Sequence, residues 1–152
     1  MGNHFRFQGE VRHALLEQHH EVRARIATAE ALSQQLQTGE QSADALTDAV
    51  TALVSALVRH NASEEAALEP LLLLSDAFGP VRLDRLVEHH RAEHRMLERA
   101  LHETTDSGHA PEAMAALVQA ALAAILAHMD AEELESLSPG VLRAASADIA
   151  AR

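Results

Sequence analysis

The sequence predicts an all-α protein, an antiparallel up-and-down four-helix bundle followed by a short C-terminal helix. Alanine and leucine dominate the composition and the aromatic residues are three phenylalanines, so helix formers are abundant and strand formers are few. Glycine and proline are rare and fall mainly at intervals of about one long helix. Between them, apolar residues recur every three or four positions, which is typical of helices with one buried face. A chain of 152 residues is long enough for one domain with a single core.

The positions of glycine, serine and proline predict the bounds of the first two helices. The first is expected from about Gly9 to Gln37, ending at Thr38-Gly39, a common C-terminal signal. The second opens near Ser42, and Pro70 should kink or terminate it, with the apolar run 71–74 at its end. The expected inward faces are Leu15, His19, Val22, Ile26, Ala29, Ser33 and Leu36 in the first helix, and Leu46, Val50, Leu53, Leu57, His60, Glu64, Leu68 and Leu71 in the second.

Prolines mark the starts of the remaining helices. Gly79-Pro80 opens the third, which ends near Thr104 to Gly108, and Pro111 opens the fourth. Ser138-Pro139 starts the short helix, so we expect one domain over 1–152, with the bundle core at about 10–137 and the short helix at about 139–150. The expected inward faces are Leu83, Leu86 or Val87, His90, His94, Leu97 and Leu101 in the third helix, and Met114, Leu117 or Val118, Ala121, Ile125, His128 and Glu132 in the fourth.

Histidine and glutamate recur on these inward faces, one group to each helix. Three of the groups are pairs spaced i and i+4, so both side chains of a pair point the same way. The seven residues are His19 in the first helix, His60 and Glu64 in the second, His90 and His94 in the third, and His128 and Glu132 in the fourth. Five imidazoles and two carboxylates form a ligand set that suits iron or manganese, and their number suits two metals better than one.

The position of these groups along the helices tests whether they share one level. Residue counts from the predicted helix ends agree at three of the four joints between neighbouring helices. Between the third and fourth helices the two counts differ by about seven residues, roughly two helical turns. We therefore expect the fourth helix to extend beyond the end of the third at its start. Other pairs with the same spacing, His13/Glu17 and His89/Glu93, share their faces with charged residues and are interpreted as surface groups.

Composition and charge exclude several classes of function. Without cysteine the chain cannot form disulfides, iron–sulfur clusters or thiolate zinc sites. The formal net charge is −11 and all twelve basic residues are arginine, which argues against nucleic-acid binding because an acidic surface repels phosphates. No uninterrupted apolar run has membrane-spanning length and the start has no apolar signal core, so we expect a soluble, cytoplasmic protein without a membrane partner.

The motifs around these residues resemble those of hemerythrin-like (HHE cation-binding) domains. The segment from His60 to Glu65, with Leu68 and Pro70 after it, is similar to the family signature HxxxEE-xxL-x-P. The segment 128–133 repeats HxxxEE, 18–23 is similar to the first-helix histidine motif, and 90–94 to the third-helix HxxxH. The resemblance covers roughly residues 10–140, and the order of the four motifs makes it specific.

This resemblance implies a non-haem di-iron centre with an oxo or hydroxo bridge inside the bundle. One iron would be held by His90, His94 and His128; the other by His19 and His60, with an open position for an exogenous ligand. Glu64 and Glu132 would bridge the two irons. His20 is the alternative to His19, which has the more apolar face, and Glu133 is the alternative to Glu132. Invertebrate oxygen carriers have an aspartate five residues after the fourth-helix histidine, whereas a glutamate at i+4 fits the bacterial domains better.

The function implied is the binding of O2, NO or peroxide, as an oxygen, nitric oxide or iron carrier or sensor. The alternative is an enzyme that uses the same centre to decompose peroxide or to detoxify nitrogen oxides. Reversible oxygen binding requires the exclusion of water, and Leu57, Leu97 and Ile125 lie within a turn of the histidines. We expect these three side chains to form the small-ligand pocket. The sequence leaves storage, sensing and turnover open.

Overall fold

The computed structural model is all-α and contains four long helices. The backbone is described for residues 2–74, 80–105, 108–135 and 137, and the side chains for 9–67, 85, 87–105, 108–134 and 137. The helices are α1 (Gly2–Gln37), α2 (Ala43–Leu74), α3 (Pro80–Thr104) and α4 (Pro111–Glu135). Within these described ranges there is no β-strand, and the predicted fold class is confirmed. The predicted helix at 139–150 lies outside the described residues.

Capping residues explain several helix ends. Gly39 has a φ of 75°, which favours glycine, and its N–H donates to the Leu36 carbonyl while the Glu40 N–H donates to the Gln35 carbonyl. This pair of hydrogen bonds is the Schellman motif that ends many helices. The Ser42 hydroxyl accepts from the backbone N–H of Ala45, 3.4 Å away, at the start of α2. Pro80 and Pro111 are the first residues of α3 and α4, as the sequence predicts.

One helix boundary differs from the sequence prediction, and the two alternatives at Pro70 are now distinguished. Helix α1 begins at Gly2 rather than Gly9, because a glycine inside a helix costs only about 1 kcal/mol and nothing in 2–8 is a proline. Helix α2 continues through Pro70 and ends at Leu74, so of the two alternatives for Pro70 termination is wrong, and the apolar run 71–74 lies at the helix end as expected. Only one further turn follows this proline, so few hydrogen bonds depend on the residues beyond it.

The four helices pack as a square. Helix α1 contacts α2 and α4, and α3 contacts α2 and α4, as in an up-and-down bundle. Successive turns of each helix supply one apolar core, which includes Val22, Leu53, Leu101 and Val118. At the predicted pair 117/118 in α4, Val118 is buried and Leu117 is exposed. The core is continuous along the bundle, so it fixes the helices at the level where the histidines lie.

Helix α4 is apolar enough in its segment 111–134 for its length and composition to suit a membrane span, with a mean hydropathy of 1.6. The core helix of a soluble bundle has the same composition. In this structure α4 packs against α1 and α3 and buries Ile125, Met129 and Glu132 between them. A buried glutamate on this face fits a role in the interior of the bundle.

Candidate metal centre

The seven predicted side chains converge at one level of the bundle. Five of them are almost completely buried: His19, His60, Glu64, His94 and Glu132. The side chains of His90 and His128 are 19% and 11% exposed, on the side where α3 meets α4. The apolar core lies on one side of this level, and Leu15 and Leu137 are buried on the other. Helical spacing and bundle packing together therefore bring the groups of all four helices together.

Glu132 lies between two sets of imidazoles. Its Oε1 lies 2.6 Å from Nε2 of His128 and 3.5 and 3.6 Å from the Nε2 atoms of His94 and His90. Its Oε2 lies on the other side, 3.4 Å from Nε2 of His19 and 3.8 Å from Nε2 of His60. One carboxylate oxygen therefore faces each set, which is the arrangement of a bridging ligand.

Glu64 also reaches both sets, through a single oxygen. Its Oε2 lies 3.4 Å from Nε2 of His90, 3.4 Å from Nε2 of His94 and 3.5 Å from Nε2 of His60. The ligand atoms of His90, His94, His128 and Glu132 lie within 4.8 Å of one another, and those of His19, His60 and Glu132 form a second such group. The two groups share Glu132, and Glu64 contacts members of both.

The atoms that face the centre are the ones that a metal would satisfy. The Nε2 atoms of all five histidines are buried and have no hydrogen-bond partner, and the same holds for both carboxylate oxygens of Glu64 and Glu132. A buried polar atom without a partner is costly, and a whole cluster of them is rare in native proteins. Two ligands that each lie about 2.1 Å from one ion, at an angle of about 90–109°, are roughly 3.0–3.4 Å apart. Most of the N···O distances are close to this range, so the donor set fits metal ions.

Three of the histidines are oriented from behind by a hydrogen bond at Nδ1. Nδ1 of His19 donates to Oε1 of Glu133 at 2.8 Å, and Nδ1 of His94 donates to Oε1 of Glu65 at 2.9 Å. Nδ1 of His60 lies 3.3 Å from the side-chain oxygen of Gln18, which can only accept. Because the proton is held at Nδ1, the lone pair of Nε2 is directed into the centre.

These supporting residues were not identified by the sequence analysis, although the motifs contain a signal for two of them. Glu65 and Glu133 are the second glutamates of the two HxxxEE motifs, and each binds a histidine of a neighbouring helix. Arg23 binds Glu133 and also Asp130, the latter at 2.7 Å, and so fixes the carboxylate behind His19. Gln18 directly precedes His19 in the sequence but supports His60, a contact between helices that the motif spacing does not indicate.

The charges of the centre raise the pKa values of two imidazoles, His19 and His94, and lower those of its carboxylates. Burial lowers the pKa of His94, but the carboxylates of Glu132, Glu64 and Glu65 outweigh this effect and raise that pKa to about 10. Burial also lowers the pKa of His19, but the carboxylates of Glu132 and Glu133 outweigh burial and raise this pKa above its ordinary value. Burial raises the pKa values of Glu64 and Glu132, but the imidazoles that lie close to their carboxylates outweigh this effect and keep both pKa values below the ordinary value. Protons therefore compete with metal ions for the same nitrogens.

The structure separates the alternative ligands that the sequence left open, and it shows where the predicted surface histidines lie. His19 is fully buried in the centre, whereas His20 is exposed. Glu132 lies among the imidazoles, whereas Glu133 is one-third exposed and lies behind His19. His13 is exposed, and the side chain of His89 is 74% exposed and pairs with Glu93 at 3.5 Å, as expected for surface groups. The geometry therefore brings together the seven residues that were preferred.

A cavity of about 580 Å³ opens between α3 and α4 and ends at this centre. Its lining includes His90, His128 and Glu132. Of the three predicted pocket residues only Leu97 lines it. Leu57 and Ile125 are fully buried within the apolar core.

A four-helix bundle that gathers five imidazoles and two carboxylates around unpartnered, buried atoms defines a metal-binding bundle protein. The sequence matches the family model of the hemerythrin HHE cation binding domain over residues 10–137. Because this match spans most of the chain, the protein belongs to the hemerythrin HHE family, and the resemblance found in the sequence is confirmed. No curated protein and no solved structure matches the chain at a significant level.

The adjacent histidines His19 and His20 provide a matched pair of variants. We expect His19→Ala to reduce the metal content of purified protein sharply, because Nε2 of His19 faces the centre. His20→Ala should leave the metal content unchanged, because His20 is exposed on the same helix. Elemental analysis of both variants after identical loading measures the difference. A greater loss in His20→Ala would mean that the register of α1 is displaced by one residue.

The raised pKa of His94 predicts that metal affinity depends on pH. Below a pKa of about 10 this imidazole carries a proton, which a metal must displace, so the affinity should fall about tenfold per pH unit of acidification from this proton alone. Titration with Co²⁺, followed by visible absorption, measures the affinity at each pH. Glu65→Gln removes one carboxylate that holds the proton, so in this variant the pH dependence should begin at a lower pH. An affinity independent of pH in the wild type would contradict the charge arrangement described here.

Proposed function

We propose that this protein holds two iron ions in the bundle centre and uses them to bind O2 or a related small ligand, NO or peroxide, as a carrier or sensor. The observation that supports this proposal best is the pair of ligand groups that share Glu132. One carboxylate oxygen faces the three histidines of α3 and α4, and the other faces the two histidines of α1 and α2. A single ion would use only one of these groups.

The donor set supports iron as the metal. Five imidazoles and two carboxylates are borderline to hard ligands, which suit iron or manganese, and the chain has no thiolate. The family to which the chain belongs is defined by cation binding. A pair of ferrous ions would supply the electrons that O2, NO or peroxide accepts on binding.

The two ions would be held unequally. His90, His94 and His128 would hold one ion, and His19 and His60 the other, with Glu64 and Glu132 bridging them. The second ion would have one imidazole fewer, which leaves a coordination position for the exogenous ligand. The hydrogen bonds from Glu65, Glu133 and Gln18 would keep three of the imidazoles in their orientation while ligands exchange.

The surroundings of the centre favour the exclusion of bulk water on one side. Leu57 and Ile125 are fully buried in the core that adjoins the histidines, and Met129 is buried next to His128. A dry, apolar wall slows the entry of water that would displace a bound ligand or promote oxidation of the iron. These side chains would therefore prolong the ferrous state.

A second function, an enzyme that decomposes peroxide or detoxifies nitrogen oxides, is favoured by one specific observation. The cavity between α3 and α4 leads from the surface to His90, His128 and Glu132. A carrier of a diatomic gas does not require an opening of this size, whereas turnover requires substrate to enter and product to leave. Both functions use the same metal centre.

The optical spectrum of the iron-loaded protein distinguishes these functions. We expect two irons per chain after anaerobic loading with ferrous iron, and on exposure to air a charge-transfer band that disappears again when oxygen is removed. Irreversible formation of this band, together with consumption of added peroxide, would favour the enzyme. The exposed residue His13 supplies the control, because His13→Ala should load and respond like the wild type whereas Glu64→Ala should not. Protein that takes up one zinc and no iron under these conditions would contradict the proposal.

A further inference from the structure

The cavity between α3 and α4 has small side chains along one wall. Ala124, Ala127 and Ala131 line it from α4, at helical spacings of three and four residues, and all three are exposed. Because alanine has no side-chain atom beyond Cβ, the two helices leave a gap along this face. On the α3 side Met96 lines the gap and is 58% exposed. The width of the gap is therefore set by side chains that can change without disturbing the core.

The inner end of the cavity is a polar floor. His90, His128 and Glu132 form it, and Glu132 is nearly completely buried with both carboxylate oxygens lacking a hydrogen-bond partner. The cavity thus connects solvent to the atoms that would hold the metals. It reaches them at His90, His128 and Glu132, and Glu132 also belongs to the group of His19 and His60, where the proposed open coordination position lies.

The volume of the cavity exceeds the requirement of a diatomic gas. A water molecule, which is similar in size to O2 or NO, occupies about 30 Å³ in the liquid. The cavity measures about 580 Å³, and pockets that hold small organic ligands measure about 300–1,000 Å³. The space is therefore sufficient for an organic molecule of several heavy atoms.

The charges around the cavity disfavour anions. Two carboxylates line it, Glu93 near the surface and Glu132 at the inner end, and among the residues that the structure describes no arginine does. The formal net charge of the whole chain is −11, which lowers the local concentration of anions further. The apolar part of the wall, formed by the alanines with Met96 and Leu97, suits an uncharged molecule with an apolar body.

We propose that this cavity is the entrance by which small, uncharged molecules larger than a diatomic gas reach the metal centre, with Ala127 and Met96 setting its width. This inference rests on the proposed function insofar as the centre holds iron. It differs from the pocket expected from the sequence, since two of the residues expected there, Leu57 and Ile125, lie in the core.

Two hydroperoxides of different size test the entrance. Hydrogen peroxide and tert-butyl hydroperoxide each accept two electrons, one from each ferrous ion, and two protons. The O–O bond breaks, and the products are two waters in the first case and an alcohol and water in the second. Stopped-flow absorption of the ferrous protein gives the rate of iron oxidation by each compound, and the ratio of the two rates reports size selection.

Replacements in the wall should change this ratio. Ala127→Leu narrows the gap. It should slow the oxidation of iron by tert-butyl hydroperoxide about tenfold, which corresponds to a barrier higher by about 1.4 kcal/mol, and should slow oxidation by hydrogen peroxide much less. Met96→Ala widens the gap and should speed the larger compound. Ala123→Leu is the matched control, because Ala123 is exposed on the same helix but does not line the cavity, and both rates should stay at the wild-type value.

Binding of nitric oxide and azide provides a readout that does not depend on turnover. Glu93→Gln removes a negative charge near the surface end and should speed the binding of the azide anion, while the rate for uncharged nitric oxide should not change. Ala127→Leu should slow the binding of these two small ligands little, as for hydrogen peroxide, without altering the iron content.

The possible failures are distinguishable. Wild-type protein that takes up no iron contradicts the proposed function, and with it this inference. Protein that loads iron fully, but whose rate ratio is the same in the wild type, Ala127→Leu and Met96→Ala, refutes the entrance and leaves the proposed function standing. If Ala127→Leu loads no iron, Ala124→Leu and Met96→Ala decide the question by the same ratio.

Discussion

The burial of two glutamates inside a helical bundle is the constraint on which the rest of this structure depends. Glu64 and Glu132 are almost inaccessible to water, and their carboxylates remain ionised because imidazoles surround them. Leaving such charges without a partner would cost several kcal/mol each, a large part of the stability of a small domain. The four helices must therefore align so that five Nε2 atoms, or the metals that these atoms bind, lie next to the two carboxylates.

The repeated HxxxEE motif satisfies this constraint in two ways at once. In α2 the first glutamate of the motif, Glu64, faces the centre, while the second, Glu65, accepts a hydrogen bond from His94 of α3. In α4, Glu132 and Glu133 divide the same roles, and Glu133 supports His19 of α1. Each motif thus supplies side chains to the centre from its own helix and orients a histidine of a neighbouring helix. The contacts between ligands and their supports fix the register of the helices as well as the geometry of the centre.

Much of this arrangement could be predicted from the sequence because it follows from helical periodicity. A spacing of i and i+4 places two side chains on one face, and apolar neighbours indicate that this face is buried, which distinguishes His60 from His89. Proline and glycine gave most of the helix boundaries. The start of α1 at Gly2 was missed because no residue in 2–8 breaks a helix, and the sequence left open whether Pro70 kinks or terminates α2 because intrinsic propensity is a weak constraint near a helix end.

The features that could not be predicted depend on distances between helices rather than on periodicity within one helix. Gln18 supports His60 across the α1–α2 contact, and no spacing in the sequence indicates this pairing. The cavity exists because the alanines of α4 face long side chains of α3, and a pattern of polar and apolar residues does not encode such a gap. The pocket expected at Leu57, Leu97 and Ile125 stays a prediction: all three are buried in the core next to the histidines, and Leu97 also lines the cavity.

The proposed function requires that the two ligand groups sharing Glu132 hold two metals side by side. X-ray absorption at the iron edge of the loaded protein tests it most directly, because scattering from a neighbouring iron is distinct from that of nitrogen and oxygen ligands. We expect an iron–iron distance of about 3.5–4 Å, together with imidazole scattering around each iron. Iron that shows imidazole ligands but no iron neighbour, at one equivalent per chain, would contradict it.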